Sequence, residues 1–457
     1  MAISYQYKIQ EQLALIAKSA NKPFISWSET FPSIDPIYLF MLGETSPFND
    51  RFYWADRSNA TTYVGLGCTY AITSEEQEQR FSTIEREWKR FITMTEIRSN
   101  GTNATPLIFG GFSFDPLKRK TERWDKFPNA KFIVPTVLLS VKEQNTVITI
   151  TVPSQNNKEI VENIEQLITL LYGEEHRPLF STPSIMQYEE IKKDEWIDAV
   201  RKVIGSISEG EFDKVVLARE VGFTFNGRLA PSIVLERLRE QQPFSYLFAF
   251  EQGENCFIGA SPEQLVKKEG DAFYSACLAG SIRRGKTVTE DEQLGQWLLQ
   301  DGKNLNEHRF VVEMIKEAMT EMCYHVHIPS APQLLKMRDI QHLYTPVIGE
   351  GGKDVSLFSL VKRLHPTPAL GGTPREKALE TIREIEPLDR GWYAAPIGWV
   401  DALGNGEFAV AIRSGLLQGK AAFLFAGCGV VGDSDPLSEY EETKVKLKPM
   451  LSALGVK

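Results

Sequence analysis

Segments that favour β-strands recur along the whole chain with amphipathic helices between them, and this pattern limits the folds that the chain can adopt. Strands are predicted at residues 50–57, 61–67, 106–116, 131–141, 146–152, 212–220, 394–400, 407–413 and 421–426. Helices are predicted at residues 74–93, 194–208, 376–385 and around 291–322. The mixture predicts either one large α+β unit or two domains.

Two of the predicted helices have recognisable N-caps and one has a clear apolar face. Ser74 and Asp194 are the predicted caps. The helix that follows Asp194 should bury one face, formed by Trp196, Val200, Val203 and Ile207. Between the strands, residues 265–281 predict a hairpin that turns at Glu269-Gly270-Asp271.

The composition is that of a globular protein. Of the 457 residues, 42% are hydrophobic and 24% are charged, and no apolar run approaches the length needed to cross a bilayer. The first ten residues lack the basic region and apolar stretch of a secretory signal. We therefore expect a cytoplasmic protein without a membrane partner.

Charge and cysteine usage exclude further classes. The net charge is -9 and no stripe dense in Lys and Arg is present, which argues against a nucleic-acid partner. The cysteines are scattered without a CxxC pair, so a disulfide framework or zinc site is not indicated. We expect buried, reduced thiols at Cys68, Cys256, Cys277, Cys323 and Cys428.

Residues 174–184, with two prolines and no periodicity, form the best candidate boundary. We predict a sheet-rich part at residues 1–185 and a second, catalytic part at residues 186–457. We expect the first part to be integrated into the same fold as the second.

Three carboxylates crowd together near the C-terminus, at Glu439, Glu441 and Glu442. One interpretation is an ordinary helix start, with Ser434 or Asp435 as the cap and Pro436 at the first helical position. A second interpretation is a cation site, because Glu439 and Glu442 are three residues apart and point the same way on a helix. The local sequence leaves both open.

Lys214 lies within a predicted strand, on the same face as Val216 and Ala218. Its side chain either extends outward at a strand edge or points into a partly buried pocket. In a pocket, desolvation would lower its pKa and make a neutral amine available as a general base.

Glu263 follows a strand-like run in the segment GASPEQL. A helix start at Ser261-Pro262 is the plain alternative, but the hairpin predicted immediately after it favours a strand end, which is a common place for functional side chains.

Three other charged residues are candidates with plain alternatives. Arg413 falls inside the predicted strand 407–413, where its guanidinium would need a carboxylate partner. Lys446 lies four residues after Glu442 and could form a surface pair with it. Glu307 lies near the start of a predicted helix, where a lone Glu is usually solvated. The glycine-containing turns at 278–285 and 364–374 are weak indications of a ligand site by themselves.

The order of the motifs is more informative than any single motif. They are DKVVLAR, GASPE, LAGSIRRG, NEH, QHLYTP, LHPTPALGG, EPLDRGWYAAPIGW, FAVAIRSG and FAGCGVV followed by DPLSEYEETKVK. In this order the chain resembles the chorismate-utilising enzymes, and most closely the isochorismate synthases. The resemblance covers residues 190–450 densely and implies an α+β fold with two large antiparallel β-sheets flanked by helices.

The resemblance also implies a role for each candidate. Lys214 matches the base that activates water for attack at C2 of chorismate, and Glu263 matches the acid that protonates the departing C4 hydroxyl. The matches to magnesium ligands are Glu307, Glu442 and, through water, Glu439. The matches to residues lining the substrate are Gly280, Ser281, His342, Ala369, Leu370, Tyr393, Arg413, Gly427 and Lys446. Glu441 is left as a solvated charge.

Related activities differ at single positions. Aminodeoxychorismate synthases resemble this chain but have a lysine nucleophile where it has Ala279, and anthranilate synthases lack a lysine at the position of Lys214. Salicylate synthases share Lys214 and Glu263, so salicylate synthesis is the alternative activity. A non-catalytic chorismate- or metal-binding protein is a second alternative.

The family often has Lys-Asp-Arg before the metal glutamate, whereas residues 303–305 are Lys-Asn-Leu.

The resemblance therefore predicts reversible, Mg²⁺-dependent conversion of chorismate to isochorismate. The product would serve menaquinone biosynthesis, favoured by the early extension of the chain, or siderophore biosynthesis. No glutaminase subunit is expected, and the protein should be a monomer or weak dimer.

Overall fold

The computed structural model describes residues 21–48, 50–102, 104–143, 145–172, 182–337, 340–351 and 355–456. Its helices are α1 Pro36–Leu42, α2 Arg80–Thr93, α3 Lys158–Tyr172, α4 Lys193–Ser208, α5 Pro231–Gln241, α6 Val288–Leu298, α7 Gly302–Met322, α8 Leu357–Leu364, α9 Arg375–Ile385 and α10 Pro436–Leu454, with a 3₁₀ turn at Glu122–Trp124.

The strands are divided between two sheets. Those of the first part of the chain are β1 Phe24–Thr30, β2 Asp50–Ala55, β3 Thr61–Leu66, β4 Tyr70–Ser74, β5 Thr95–Ser99, β6 Leu107–Phe112, β7 Ala130–Val134, β8 Val137–Lys142 and β9 Asn145–Pro153. Those that follow are β10 Ile185–Glu190, β11 Lys214–Phe225, β12 Tyr246–Gln252, β13 Asn255–Ser261, β14 Gln264–Glu269, β15 Ala272–Arg283, β16 Cys323–His327, β17 Gln333–Lys336, β18 Ile340–Gly351, β19 Gly372–Thr373, β20 Pro396–Asp401, β21 Gly406–Val410, β22 Ser414–Gln418 and β23 Ala421–Val430.

The larger sheet has 13 strands in the order β10-β11-β23-β22-β13-β12-β2-β3-β8-β9-β1-β5, with β19 beside β11. The smaller has 10 strands in the order β16-β18-β15-β14-β21-β20-β6-β7-β4, with β17 beside β18. Apart from the parallel pair β1–β5, the described pairings are antiparallel. The predicted α+β fold with two large antiparallel sheets and flanking helices is confirmed.

Strands from before and after residue 185 pair in both sheets. In the larger sheet β2 lies beside β12, and in the smaller sheet β6 lies beside β20. The predicted boundary segment lies mostly outside the described residues, because residues 173–181 are not among them. The division at residue 185 stays a prediction.

Two apolar clusters cover the two faces of the larger sheet. One contains aromatic rings from both sheets, such as Phe52 of β2 and Phe109 of β6, whose ring centroids are 4.5 Å apart. The other packs Ile37 of α1, Leu235 of α5 and Met450 of α10 against the opposite face. The larger sheet is therefore the middle layer.

Two predicted helix starts are wrong. Ser74 is the last residue of β4, where it pairs with Ala130, and α2 begins six residues later. Asp194 lies inside the first turn of α4, whose N-cap is Lys192 in a left-handed conformation with φ 51°. In the first case a ladder partner distant in sequence overrides the local capping pattern.

The strand predicted at residues 131–141 is two strands, β7 in the smaller sheet and β8 in the larger sheet. Several other local predictions hold in the structure. The face of α4 formed by Trp196, Val200 and Val203 is buried, and Ile207 is half-buried. The hairpin between β14 and β15 turns at Gly270, which has φ 59°. All five cysteines lie in the described part, where they form no disulfide with one another, and all except the half-buried Cys68 are buried. Within the same residues, no helix is both long enough and apolar enough to span a membrane.

Candidate active site

Lys214 is the first residue of β11, and its side chain crosses the neighbouring strand β23 at Gly429. A Cβ atom at Gly429 would lie 2.6 Å from Lys214 Cε and would displace the end of the lysine side chain from this path. The ammonium Nζ donates to Glu307 Oε1 at 2.6 Å, which brings α7 to the end of the sheet. Of the two alternatives for Lys214, the structure shows the partly buried pocket.

Burial and charge act in opposite directions on Glu307. Burial by itself would raise the pKa of this carboxyl, but the nearby Lys214 ammonium and its hydrogen bond outweigh burial, so the pKa is lowered. Glu307 is therefore a carboxylate at neutral pH, and it is paired with Lys214 rather than being the lone helical residue of the plain alternative.

Glu263 lies in the connection between β13 and β14, where no helix starts. Its backbone nitrogen donates to Ser261 Oγ at 3.2 Å, and its carbonyl accepts from Val410 N at 3.0 Å. Burial raises the pKa of its carboxyl to about 7, against the opposing effect of the positive charges of Arg413, Lys446 and Lys214. A large fraction of Glu263 is therefore protonated at neutral pH, unlike an ordinary glutamate.

Arg413 differs from its prediction in two ways. Strand β21 ends at Val410, and Arg413 lies in the following connection with a left-handed φ of 51°. Among the described residues no carboxylate lies within ion-pair distance of Arg413, and its Nη1 donates to the carbonyl of Lys446 at 3.3 Å. Burial lowers the pKa of its guanidinium, opposed by Tyr393, Glu442 and Glu263. This half-buried cation is available to an anionic ligand.

Helix α10 begins as predicted, with Asp435 as its N-cap and Pro436 in the first turn. Lys446 Nζ pairs with Glu442 Oε1 at 2.5 Å and also donates to the carbonyl of Gly427 in β23 at 3.0 Å. The predicted pair thus exists, but it also ties α10 to the sheet.

The other two carboxylates of α10 have different surroundings. Glu439 accepts from Ser434 Oγ at 2.7 Å and lies near Cys428. Glu441 is exposed and pairs with Lys444 at 2.7 Å, which agrees with its interpretation as a solvated charge.

Gly280 and Ser281 lie where the register of β15 against β18 shifts, and Gly280 has φ 78°. Ser281 is opposite His342 of β18, and its backbone nitrogen donates to Asn304 Oδ1 at 3.2 Å. Burial, followed by the charges of Arg413 and Lys446, lowers the pKa of His342 to about 4. His342 is therefore neutral at pH 7.

Leu370 and Tyr393 are buried, and Ala369 beside them is half-buried. The ring of Tyr393 packs 5.3 Å from that of Phe425 in β23, and burial raises the pKa of its hydroxyl to about 12. Tyr393 is thus an uncharged phenol at neutral pH.

Several predicted site residues therefore act electrostatically on one another, and we call this group the charged pocket. Its members are Lys214, Glu263, Glu307, His342, Tyr393, Arg413, Glu442 and Lys446. Gly427 accepts from Lys446, and Gly280 and Ser281 lie against His342, so these three adjoin the pocket. Leu370 is bonded to Arg390 instead, and Glu439 interacts mainly with Ser434 and Cys428. The position of Ala369 relative to the charges is a prediction only.

The carboxylates of the pocket have the chemistry of a site for a hard cation. Lys214 and Lys446 each occupy Oε1 of one carboxylate, on Glu307 and Glu442. Carboxylate oxygens are the ligands that Mg²⁺ prefers. Among the described residues, however, no three His, Cys, Asp or Glu side chains are gathered as a metal site. The donor type fits Mg²⁺, and the rest of the coordination shell would come from ligand and water oxygens.

One buried pair near the site was not predicted as functional. Arg390 and Glu386 form a bidentate ion pair, with Nε to Oε1 at 2.7 Å and Nη2 to Oε2 at 2.6 Å. Both residues belong to the motif EPLDRGWY, so a signal was present. A Glu and an Arg four residues apart usually indicate a surface pair, however, and the sequence does not reveal that this one is buried.

Comparisons with known proteins agree on one protein family. Residues 9–455 match a family model described as Chorismate binding enzyme. The chain is 43% identical to Isochorismate synthase MenF of Bacillus subtilis, over 96% of this chain and 95% of that protein. It is 36% identical to the salicylate biosynthesis isochorismate synthase of Pseudomonas aeruginosa, over 96% and 92%. The solved structure of MenF, the menaquinone-specific isochorismate synthase from Escherichia coli, has a TM-score of 0.82 at 24% identity, over 99% and 100%, and supports the fold.

Proposed function

We propose that this chain, which belongs to the chorismate-binding enzyme family, is an isochorismate synthase that converts chorismate into isochorismate. The observation that carries the proposal is the state of Glu263, where burial leaves the carboxyl with a pKa of about 7 while the positive charges of Arg413, Lys446 and Lys214 act on it. A group that is to donate a proton near neutral pH needs such a value. The names of the relatives agree with this activity.

In the proposed reaction one water enters and one leaves. The oxygen of the entering water bonds to C2 while its proton passes to Lys214 Nζ, which must first have lost the ammonium proton that it donates to Glu307 in the structure. The ring double bonds shift, the C4–oxygen bond breaks, and Glu263 gives its proton to the departing hydroxyl, which leaves as water. Lys214 is then an ammonium and Glu263 a carboxylate, which are the states that the reverse reaction requires. Such a pair typically contributes about 10²- to 10⁴-fold in rate per group.

Chorismate carries two carboxylates, whereas the protein has a net charge of -9. Binding therefore needs local positive charge, which we assign to Arg413 and Lys446. Arg413 is suited to this role because its guanidinium is half-buried and donates to a backbone carbonyl. The neutral side chains of His342 and Tyr393 would line the substrate, together with Gly280, Ser281, Ala369, Leu370 and Gly427.

Magnesium is part of the proposal. Glu307 and Glu442 would hold Mg²⁺, with Glu439 helping through water, and the bound cation would supply positive charge beside the ring carboxylate. In the structure Lys214 is paired with Glu307, and Lys446 is paired with Glu442. Each lysine would therefore have to move away from its carboxylate before that carboxylate could bind the cation.

The test is the product mixture of purified protein with Mg²⁺. We expect chorismate and isochorismate to reach the same equilibrium from either side, with little pyruvate. A lactate dehydrogenase-coupled assay measures pyruvate directly. Stoichiometric pyruvate with fluorescent salicylate would show a salicylate synthase with the same acid and base, and chorismate binding without turnover would show a non-catalytic protein.

Further properties complete the proposal. We take the protein to be cytoplasmic and a monomer or weak dimer that needs no glutaminase subunit. The pathway that uses the product is menaquinone or siderophore biosynthesis, and complementation of strains deficient in each would identify which.

A further inference from the structure

The strand that carries Lys214 has an incomplete edge. On one side, β11 pairs with β23 from Val215 to Thr224. On the other side, it pairs with β19 at Lys214 and Val215, and with β10 only from Val221 onward. Between these two partners, residues 216–220 face no strand in the described part of the chain. Backbone groups at such an edge need other partners when they are buried.

The Arg390–Glu386 ion pair supplies these partners. Arg390 Nη2 donates to the carbonyl of Val216 at 2.7 Å, and Glu386 Oε2 accepts from Ala218 N at 2.7 Å. The side chains are 3% and 0% exposed. The carbonyl of Val216 and the N–H of Ala218 are thus bound by two side chains that also bind each other. These side chains occupy the position that a neighbouring strand would have.

Arg390 also contacts two predicted site residues, Leu370 through its guanidinium and Tyr393 through its backbone. Arg390 Nη1 donates to the carbonyl of Leu370 at 3.0 Å, and the carbonyl of Arg390 accepts from Tyr393 N at 2.8 Å. The loop containing Leu370 is also joined to β11 directly, since Val216 N donates to the carbonyl of Gly371 at 2.9 Å. Three segments that are distant in sequence therefore meet at one guanidinium.

We propose that Arg390 and Glu386 are positioning residues, which replace a strand at the open edge of β11 and fix Lys214, Leu370 and Tyr393 relative to one another. This inference rests on the proposed function, because it assigns the pair its importance through Lys214 and the substrate-lining residues. A guanidinium is suited to the task because its planar fork binds a carboxylate and backbone carbonyls at fixed angles, which the single ammonium of lysine cannot do.

The larger sheet contains a matched control pair. Arg51 of β2 and Glu251 of β12 are also almost completely buried. Arg51 Nε donates to Glu251 Oε2 at 2.5 Å, and Arg51 Nη1 donates to the carbonyl of Phe40 at 2.5 Å. This pair binds a backbone carbonyl as Arg390 does, but its partners carry no predicted site residue.

The experiment compares Arg390→Lys and Glu386→Gln with Arg51→Lys and Glu251→Gln. All four changes should lower Tm, because each weakens a buried ion pair. We expect kcat to fall about 10²-fold in Arg390→Lys, measured well below its Tm, because small displacements of reacting groups cost this much. Glu386→Gln, which keeps an acceptor for Ala218 N, should lose less. The control variants should keep the wild-type kcat and KM.

Two outcomes would contradict the positioning role. A wild-type kcat in Arg390→Lys, with a Tm loss like that of Arg51→Lys, would overturn the positioning role. A kcat that falls equally in both pairs would also overturn it, because the effect would then follow from lost stability alone. If Arg390→Lys does not fold, Glu386→Gln decides in the same way. A wild-type protein that forms no isochorismate would contradict the proposed function instead, and this is measured first.

Discussion

The Arg51–Glu251 pair and the charged pocket both place opposite charges at the larger sheet, but they hold them differently. The side chains of Arg51 and Glu251 are 2% and 4% exposed, and Arg51 also binds a backbone carbonyl. In the pocket, Lys214 and Glu307 are 16% and 43% exposed, and Lys446 and Glu442 are 31% and 51% exposed. One region is sealed and the other is open to solvent.

This difference separates ion pairs that maintain the fold from ion pairs that can exchange partners. Removing one member of a desolvated pair leaves a buried charge without compensation, which is strongly destabilising. Partly exposed pairs contribute little to stability because water screens them. The lysines and carboxylates of the pocket can therefore change partners when a ligand binds, at little cost to the fold.

The largest effect should come from the proposed acid and base. Lys214→Ala and Glu263→Gln should each lower kcat by about 10²- to 10⁴-fold, because each removes one proton-transfer group. Chorismate binding and the fold should be retained, as measured by calorimetric titration and melting curves. A variant with near-wild-type kcat and a normal Tm would show that the role is misassigned.

Removing one member of the buried Arg51–Glu251 pair should lower stability and leave turnover unchanged, which is the opposite of the result expected for the acid and base. Glu251→Ala should lower the free energy of unfolding by up to roughly 3–5 kcal/mol, because Arg51 would lose one of its two buried carboxylate partners and keep only Glu44. Urea unfolding measures this change. The kcat of the molecules that remain folded should be unchanged, and a loss of kcat at a temperature where the variant is fully folded would remove the distinction between the two regions.

The next prediction concerns Mg²⁺ binding by Glu307 and Glu442, the carboxylates of the partly exposed pairs. Glu442→Ala and Glu307→Ala should raise the Mg²⁺ concentration needed for half-maximal activity, because each removes a proposed ligand. Direct Mg²⁺ titration by calorimetry gives a readout independent of turnover. Glu441→Ala is the matched control on the same helix and should leave the Mg²⁺ requirement unchanged. An equal effect at Glu441 would mean that the wrong face of α10 is assigned.

The smallest effect should be a pH-dependent change in stability at Glu263. Burial raises its pKa to about 7 in the folded protein, above the ordinary value of 4.5 for a free glutamate. The protonated carboxyl is therefore favoured by folding, and its contribution to stability is complete below pH 4.5 and lost as pH rises through about 7. Glu263→Gln, which stays neutral, should have a Tm near that of the wild type at pH 5 and a higher Tm at pH 8. Equal Tm values at both pH values would contradict the raised pKa.

Local sequence patterns predicted the elements around the site well. The hairpin at Gly270, the buried face of α4, the start of α10 at Asp435 and the pair of Glu442 with Lys446 all follow from spacing along the chain. Each of these depends on residues within one or two turns of one another, where helix and strand periodicity is a direct guide.

The wrong predictions have non-local causes. Ser74 forms a strand because Ala130 is its partner. Arg413 lies beyond β21 because the chain there crosses from the smaller to the larger sheet, where the carbonyl of Arg413 accepts from Ala260 N at 3.1 Å. The pair of Arg390 with Glu386 has the spacing of a surface pair and yet is buried, because the edge of β11 covers it. In each case a contact with a distant segment overrides what the neighbours in sequence indicate.

The sequence by itself determined the family, the two-sheet fold and the residue types that can act as acid, base and carboxylate ligands, because these depend on which side chains occur and in what order. Only the tertiary structure decided that Lys214 meets a carboxylate 93 residues away, that burial moves the pKa of Glu263 towards 7, and that an ion pair replaces a strand beside β11. Desolvation and long-range pairing depend on every segment packed around a group, and a local pattern contains no information about those segments.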